Sequence, residues 1–117
     1  VNKADFNVLC EQVAVSAEHL RLLLEEIERY IPNSTVWAFG SRVDGTHRTA
    51  SDLDLAIHCD KGIAMNELPK LNERLVESDL PFKVQLLDFD RLPEHMQENI
   101  KRKYVVLYQS QEEISGK

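Results

Sequence analysis

At 117 residues, with 43% apolar and 29% charged side chains, the chain is long enough for one hydrophobic core, too short for two, and too balanced in composition for wholesale disorder. Fourteen basic residues against twenty acidic ones leave a net charge of −6, which excludes broad electrostatic attachment to nucleic acid, because that needs basic surface to neutralise phosphates. No apolar run approaches the roughly 18 residues of a membrane span, and the first residues lack a basic-then-apolar signal pattern. Cys10 and Cys59 have no metal-ligand spacing, so a cytoplasmic protein with reduced thiols is expected.

Residues 4–12 are predicted to form a short helix. Ser16 then caps a second helix, with Glu18 near its positive end and Leu20, Leu23, Leu24 and Ile27 at helical spacing as core. Pro32 ends it, because proline cannot continue the hydrogen-bond ladder. The run TVWAF (35–39) is a strand rich in branched and aromatic residues, with Trp37 read as core. SDLDLAI (51–57) is a second strand with strict alternation. NELPKLNERLVES (66–78) is a helix in which Pro69 is tolerable only in the first turn. FKVQLLDF (82–89) is a third strand, PEHMQENIKRK (93–103) a helix, and YVVLY (104–108) a last strand. Alternating helices and strands predict an α/β (α+β) domain, a small mixed sheet with helices packed on it, spanning residues 1–117 and ending in a polar tail from about 110.

The chemistry concentrates in WAFGSRVDGTHRTASDLDLAI, residues 37–57. Successive strand side chains point to opposite faces, so Asp52, Asp54 and Ala56 share one face and Leu53, Leu55 and Ile57 the other. Two unpaired carboxylates held together would repel, and one would be forced to protonate. A hard divalent cation relieves this, because Mg²⁺ takes oxygen ligands, commonly one or two carboxylates plus phosphate oxygens. Gly40 permits close backbone approach to a ligand. Ser41 adds a hydroxyl, the residues after it can start a short helix whose N–H groups favour anions, and Arg42 and Arg48 can make charge-assisted bonds to phosphate. A phosphate cradle followed by paired carboxylates is equipment for phosphoryl or nucleotidyl transfer. A Walker loop and a dinucleotide fingerprint are both absent. His47 is read as a solvated loop residue; His19, His58 and His95 as structural; and Lys101, Arg102 and Lys103 as cations suited to a helix C-terminus.

Gly40-Ser41-Arg42, Gly45 and Ser51-Asp52-Leu53-Asp54-Leu55, continued through SDLPFKVQLLDF and YVVLY, resemble the minimal nucleotidyltransferase family of the polymerase-β-like superfamily over residues 18 to 108. The resemblance implies the polymerase-β-like fold, with ATP phosphates gripped by Gly40, Ser41 and Arg42 and Mg²⁺ held by catalytic Asp52 and Asp54. It also implies an antitoxin paired, as a hetero-oligomer, with a HEPN ribonuclease toxin, to a tyrosine of which some family members transfer AMP. No membrane and no direct nucleic-acid contact are expected. The superfamily usually carries a third carboxylate on the third strand, and at that position this chain has Gln85. A neutral amide cannot accept the nucleophile's proton, and Asp88, three residues on, falls on the opposite face of a regular strand. Two readings therefore stand side by side, an adenylyltransferase and a catalytically weakened module that neutralises its partner by contact. Transfer to a small molecule such as an aminoglycoside is a third, for which the chain lacks room for an acceptor domain.

Overall fold

The protein, a computed structural model, describes residues 3–60, 62 and 67–109. The predicted polar tail and Asn66, the first residue of the predicted third long helix, lie outside them. The elements run α1 (Lys3–Val13), α2 (Ala17–Tyr30), β1 (Thr35–Phe39), α3 (Ser41–Asp44), β2 (Leu53–His58), α4 (Glu67–Val76), β3 (Val84–Asp88), a 3-10 turn at Phe89–Arg91, α5 (Glu94–Arg102) and β4 (Val105–Gln109). Ser16 caps α2 as expected, its hydroxyl accepting from the His19 amide at 3.3 Å. Pro69 falls in the first turn of α4, where its missing N–H costs nothing.

The strands form one sheet in the order β3-β2-β1-β4. β1 lies antiparallel to both β2 and β4, while β2 and β3 are parallel. A parallel pair needs a crossover, and the segment carrying α4 supplies it. Period-two alternation divides the sheet sharply. One face, carrying Val36, Ala38, Leu53, Leu55, Ile57 and Val84, packs against Val13, Leu20, Leu23, Ile27, Leu71 and Leu75 of α1, α2 and α4, all of them buried. The opposite face is covered only in part, where Ala56, Phe89 and Ile100 cluster with Trp37, Phe39 and Leu92. Trp37, read as core, is partly buried against this cluster, edge-on to Phe89 at 4.8 Å.

Two strand boundaries differ from expectation. β2 starts at Leu53 rather than Ser51, because Ser51 closes a turn on Arg48: the Ser51 amide donates to the Arg48 carbonyl at 3.0 Å, and the Arg48 amide to Ser51 Oγ at 2.7 Å. Asp52 therefore stands just before the strand and is exposed. β3 covers 84–88 instead of 82–89, since Phe82 leaves the sheet to lie under the Arg42 guanidinium, 4.3 Å from ring centroid to carbon.

His58, at the end of β2, ties the sheet to the 3-10 turn. Its Nδ1 lies 2.9 Å from Asp90 Oδ2, its Nε2 2.9 Å from Asp60 Oδ1, and its ring stacks on Trp37 at 6.2 Å. A neutral imidazole has one N–H, so only the imidazolium can donate to both carboxylates. Burial alone would lower its pKa, but the two hydrogen-bonded carboxylates outweigh that and raise it. A raised folded-state pKa contributes stability that is full below the ordinary value, about 6.5, and is lost as pH rises through the folded-state value. The melting-temperature gap between the wild type and His58→Gln is therefore expected to be widest below about pH 6.5 and to narrow above it. Parallel melting curves across pH would show that the ring is uncharged in the fold.

Candidate nucleotide and metal site

The end of β1 meets the start of β2 where Phe39 pairs with Asp54. Gly40, the next residue, has φ +86°, a conformation that side chains rarely adopt. A Cβ built there would also overlap Asp54 Oδ2 and lie 3.3 Å from Asp54 Cγ. Glycine is thus required twice, by the turn and by the carboxylate packed against it. The short helix expected after Ser41 is present as α3, its first turn closed by the Val43 and Asp44 amides on the Gly40 carbonyl, both at 3.0 Å. Gly45, at φ +88°, ends it, its amide reaching the Ser41 carbonyl at 3.1 Å.

Asp54 is half-buried, and among the described residues neither it nor Asp52 has a hydrogen-bond or ion-pair partner. Burial first, and the charge of Asp52 second, push the Asp54 carboxyl above its ordinary range. Gln85 is the residue of β3 in register with Asp54, on the same face of the parallel pair. Asp88 pairs with Ile57 instead, on the face turned to the helices, and its Oδ2 lies 3.6 Å from Arg91 Nε. Among the described residues no third His, Cys, Asp or Glu joins the two aspartates as a cation cluster. Two uncompensated carboxylates, one of them resisting ionisation, form an all-oxygen donor set that fits a hard cation such as Mg²⁺ better than a soft metal. Beside Gly40 an open groove of about 330 Å³ runs between α3 and α5, lined by Phe39, Asp44, Met96, Asn99, Ile100 and Lys103.

Arg42 is placed differently from the sequence expectation. It is 5% exposed, and its guanidinium donates to the carbonyls of Ala14, Thr49 and Ser51. It lines a second hollow, of about 410 Å³, with Ser16, His19, His47, Arg48 and Phe82 on the α1–α2 side. The Arg42 guanidinium is thus engaged by main-chain carbonyls, while Gly40 lies against Asp54. His47 is not simply solvated: its Nδ1 is buried and has no partner among the described residues. The His58–Asp60–Asp90 set escaped sequence reading because Asp90 is 32 positions from His58.

Residues 23–113 match the family model described as polymerase beta, nucleotidyltransferase. The chain belongs to this nucleotidyltransferase family. Within it, the chain is 37% identical over 103 residues to MntA of Haemophilus influenzae, by name a "probable protein adenylyltransferase", across 88% of this chain and 90% of that one. Among solved structures, a toxin–antitoxin assembly with AMP-PNP shares the fold at TM-score 0.66 and 21% identity, over 80% of this chain and 76% of that one. A chain of the complex between tri-AMPylated Shewanella oneidensis HEPN toxin and MNT antitoxin matches at TM-score 0.60 and 17% identity, over 84% and 76%. A minimal nucleotidyltransferase matches at TM-score 0.60 and 25% identity, over 75% and 88%. The nucleotidyltransferase fold that the resemblance implied is therefore present, and Gly40 and Asp54 of this family member meet at the β1–β2 junction.

Proposed function

We propose that this nucleotidyltransferase is the antitoxin of a toxin–antitoxin pair, binding Mg²⁺–ATP and transferring AMP to a HEPN toxin. The observation that carries the reading is the near full-length 37% identity to MntA, named a "probable protein adenylyltransferase", in a chain whose Gly40 is shaped around Asp54. Gly40 and Ser41 would receive the phosphates, and Asp52 and Asp54 would hold the metal. When bound, Mg²⁺ supplies Lewis-acid charge to the reacting phosphate oxygens. An acceptor hydroxyl, a tyrosine in the toxin, attacks the α-phosphorus as the bond to the β-phosphate oxygen breaks. Pyrophosphate leaves, and the hydroxyl proton passes to solvent, because the amide at Gln85 cannot take it. The all-protein role left to the chain is to orient the phosphates at the turn and to keep Asp54 partly out of water.

Gln85 beside Asp54 favours a second reading, in which transfer is slow and the toxin is neutralised by contact. Incubating the chain with α-labelled ATP, Mg²⁺ and its HEPN partner separates the two. Label on the toxin that disappears in the Asp52→Ala, Asp54→Ala double variant supports transfer. Full neutralisation by that double variant, without label, supports contact. Failure of the wild type both to bind Mg²⁺–ATP and to neutralise the toxin would overturn both.

A further inference from the structure

Arg42 directly follows the Gly40–Ser41 turn, yet its side chain serves the backbone. Nη1 donates to the Ala14 carbonyl at 2.5 Å, Nη2 to Thr49 at 2.7 Å and Nε to Ser51 at 2.9 Å, while Phe82 covers the guanidinium face. No carboxylate among the described residues pairs with it. A buried guanidinium is costly unless its hydrogen bonds are made, and this one makes them to two separate stretches of chain. Ala14, at the α1–α2 corner, holds φ +55°, a conformation that residues with a Cβ keep only where their surroundings over-determine it. The other two carbonyls belong to the loop that delivers Asp52.

That loop needs a tie. Ladder pairing of β2 begins only at Leu53, so Asp52 is held by no strand bonds of its own. The Asp44, Gly45 and Thr46 amides tie the start of the loop to the Gly40 and Ser41 carbonyls at the start of α3, and the remaining hydrogen bonds of residues 44–51 are internal: Thr46 to Asp44, and Arg48 with Ser51. These internal bonds shape the loop but do not fasten its Asp52 end to the body of the protein. Arg42 does, at the carbonyl of Ser51, one residue before Asp52.

We propose that Arg42 is a positioning residue for the Asp52–Asp54 platform, a three-carbonyl clamp that sets the backbone from which Asp52 projects. The inference rests on reading those aspartates as the metal platform. A planar fork with fixed donors is essential to it, and lysine, a single flexible ammonium, cannot span the three carbonyls. A phosphate ligand would behave in the opposite way, since lysine also binds phosphate.

The test compares the wild type with Arg42→Lys and with the milder Phe82→Leu, which keeps the hydrogen bonds and removes the covering ring. Amide hydrogen exchange is followed residue by residue without nucleotide, and the Mg²⁺ concentration for half-maximal ATP binding is measured. Arg42→Lys is expected to speed exchange locally, at residues 48–53, and to raise the Mg²⁺ requirement about 10- to 100-fold, the usual effect of losing support behind a metal ligand. ATP affinity at saturating Mg²⁺ should change little, and Phe82→Leu should move the same readouts less. Unchanged exchange and Mg²⁺ requirement in Arg42→Lys would overturn the clamp. So would weakened ATP affinity at saturating Mg²⁺ with an unchanged metal requirement, the signature of a phosphate ligand. So would exchange that accelerates uniformly over the chain, which marks general destabilisation. A wild type that binds no Mg²⁺–ATP would overturn the metal platform itself, and the exchange profile would still show separately whether Arg42 holds the loop.

Discussion

Asp54→Asn is expected to make the metal-free protein more stable while sharply lowering the proposed Mg²⁺-dependent AMP transfer. The Asp54 carboxyl is raised above its ordinary range by burial and then by Asp52. A carboxyl with a raised folded-state pKa contributes stability only in acid, and that contribution is lost as pH rises through the folded-state value. Near neutral pH its charge therefore opposes the fold, and asparagine removes the charge with almost no change in volume. After solvent screening the effect is a modest rise in melting temperature at pH 7.5, shrinking as pH falls toward about 4. Mg²⁺ should raise the melting temperature of the wild type and not that of the variant. AMP transfer should drop by at least about 10²-fold, the scale of removing one stabiliser of transition-state charge. Calorimetry with and without Mg²⁺ decides the matter, and a variant less stable than the wild type without metal would show that the carboxylate is compensated in the fold.

Gln85→Asp is expected to act in the reverse sense on both measures. Residue 85 is in register with Asp54 across the parallel pair, so a carboxylate there joins the platform face. General-base assistance to the attacking hydroxyl is worth about 10²- to 10⁴-fold, and labelled transfer to the toxin should rise within that range. A third unpaired carboxylate also adds repulsion, so the metal-free variant should melt lower and regain stability with Mg²⁺. Gln85→Asn is the control, expected to do neither. Asp88→Asn should leave transfer unchanged, because Asp88 sits on the helix-covered face in register with Ile57. Transfer by Gln85→Asp no faster than wild type would show that a base at this position does not limit the reaction.

The most legible parts of the sequence were those governed by neighbours a few residues apart. Alternation in Leu53–Ile57 and helical spacing in Leu20–Ile27 follow from backbone periodicity, which any window of the chain displays, and both segments are buried as that periodicity requires. The Ser16 cap and the first-turn position of Pro69 are equally local. The opposed faces of Gln85 and Asp88 also followed from counting along one strand. Less legible was the start of β2. The alternating pattern runs through Ser51 and Asp52, but the bonds between Arg48 and Ser51 make a turn of that stretch and leave Asp52 exposed.

By itself, then, the sequence determined the α/β class, the order of its elements, and a Gly-Ser turn followed by two aspartates with an amide in place of a third carboxylate. Only the tertiary structure decided what lies across those elements. It put Asp54 against Gly40 and Gln85 alongside Asp54, closed His58 between Asp60 and Asp90, and turned Arg42 onto the carbonyls of Ala14, Thr49 and Ser51. The physical reason is shared. Dihedral preferences and side-chain periodicity act over a turn or two of chain. The partner of a buried charge is chosen by whichever distant polar groups the packed core brings within 3 Å, and for Arg42 those were main-chain carbonyls, which carry no side-chain signature to read.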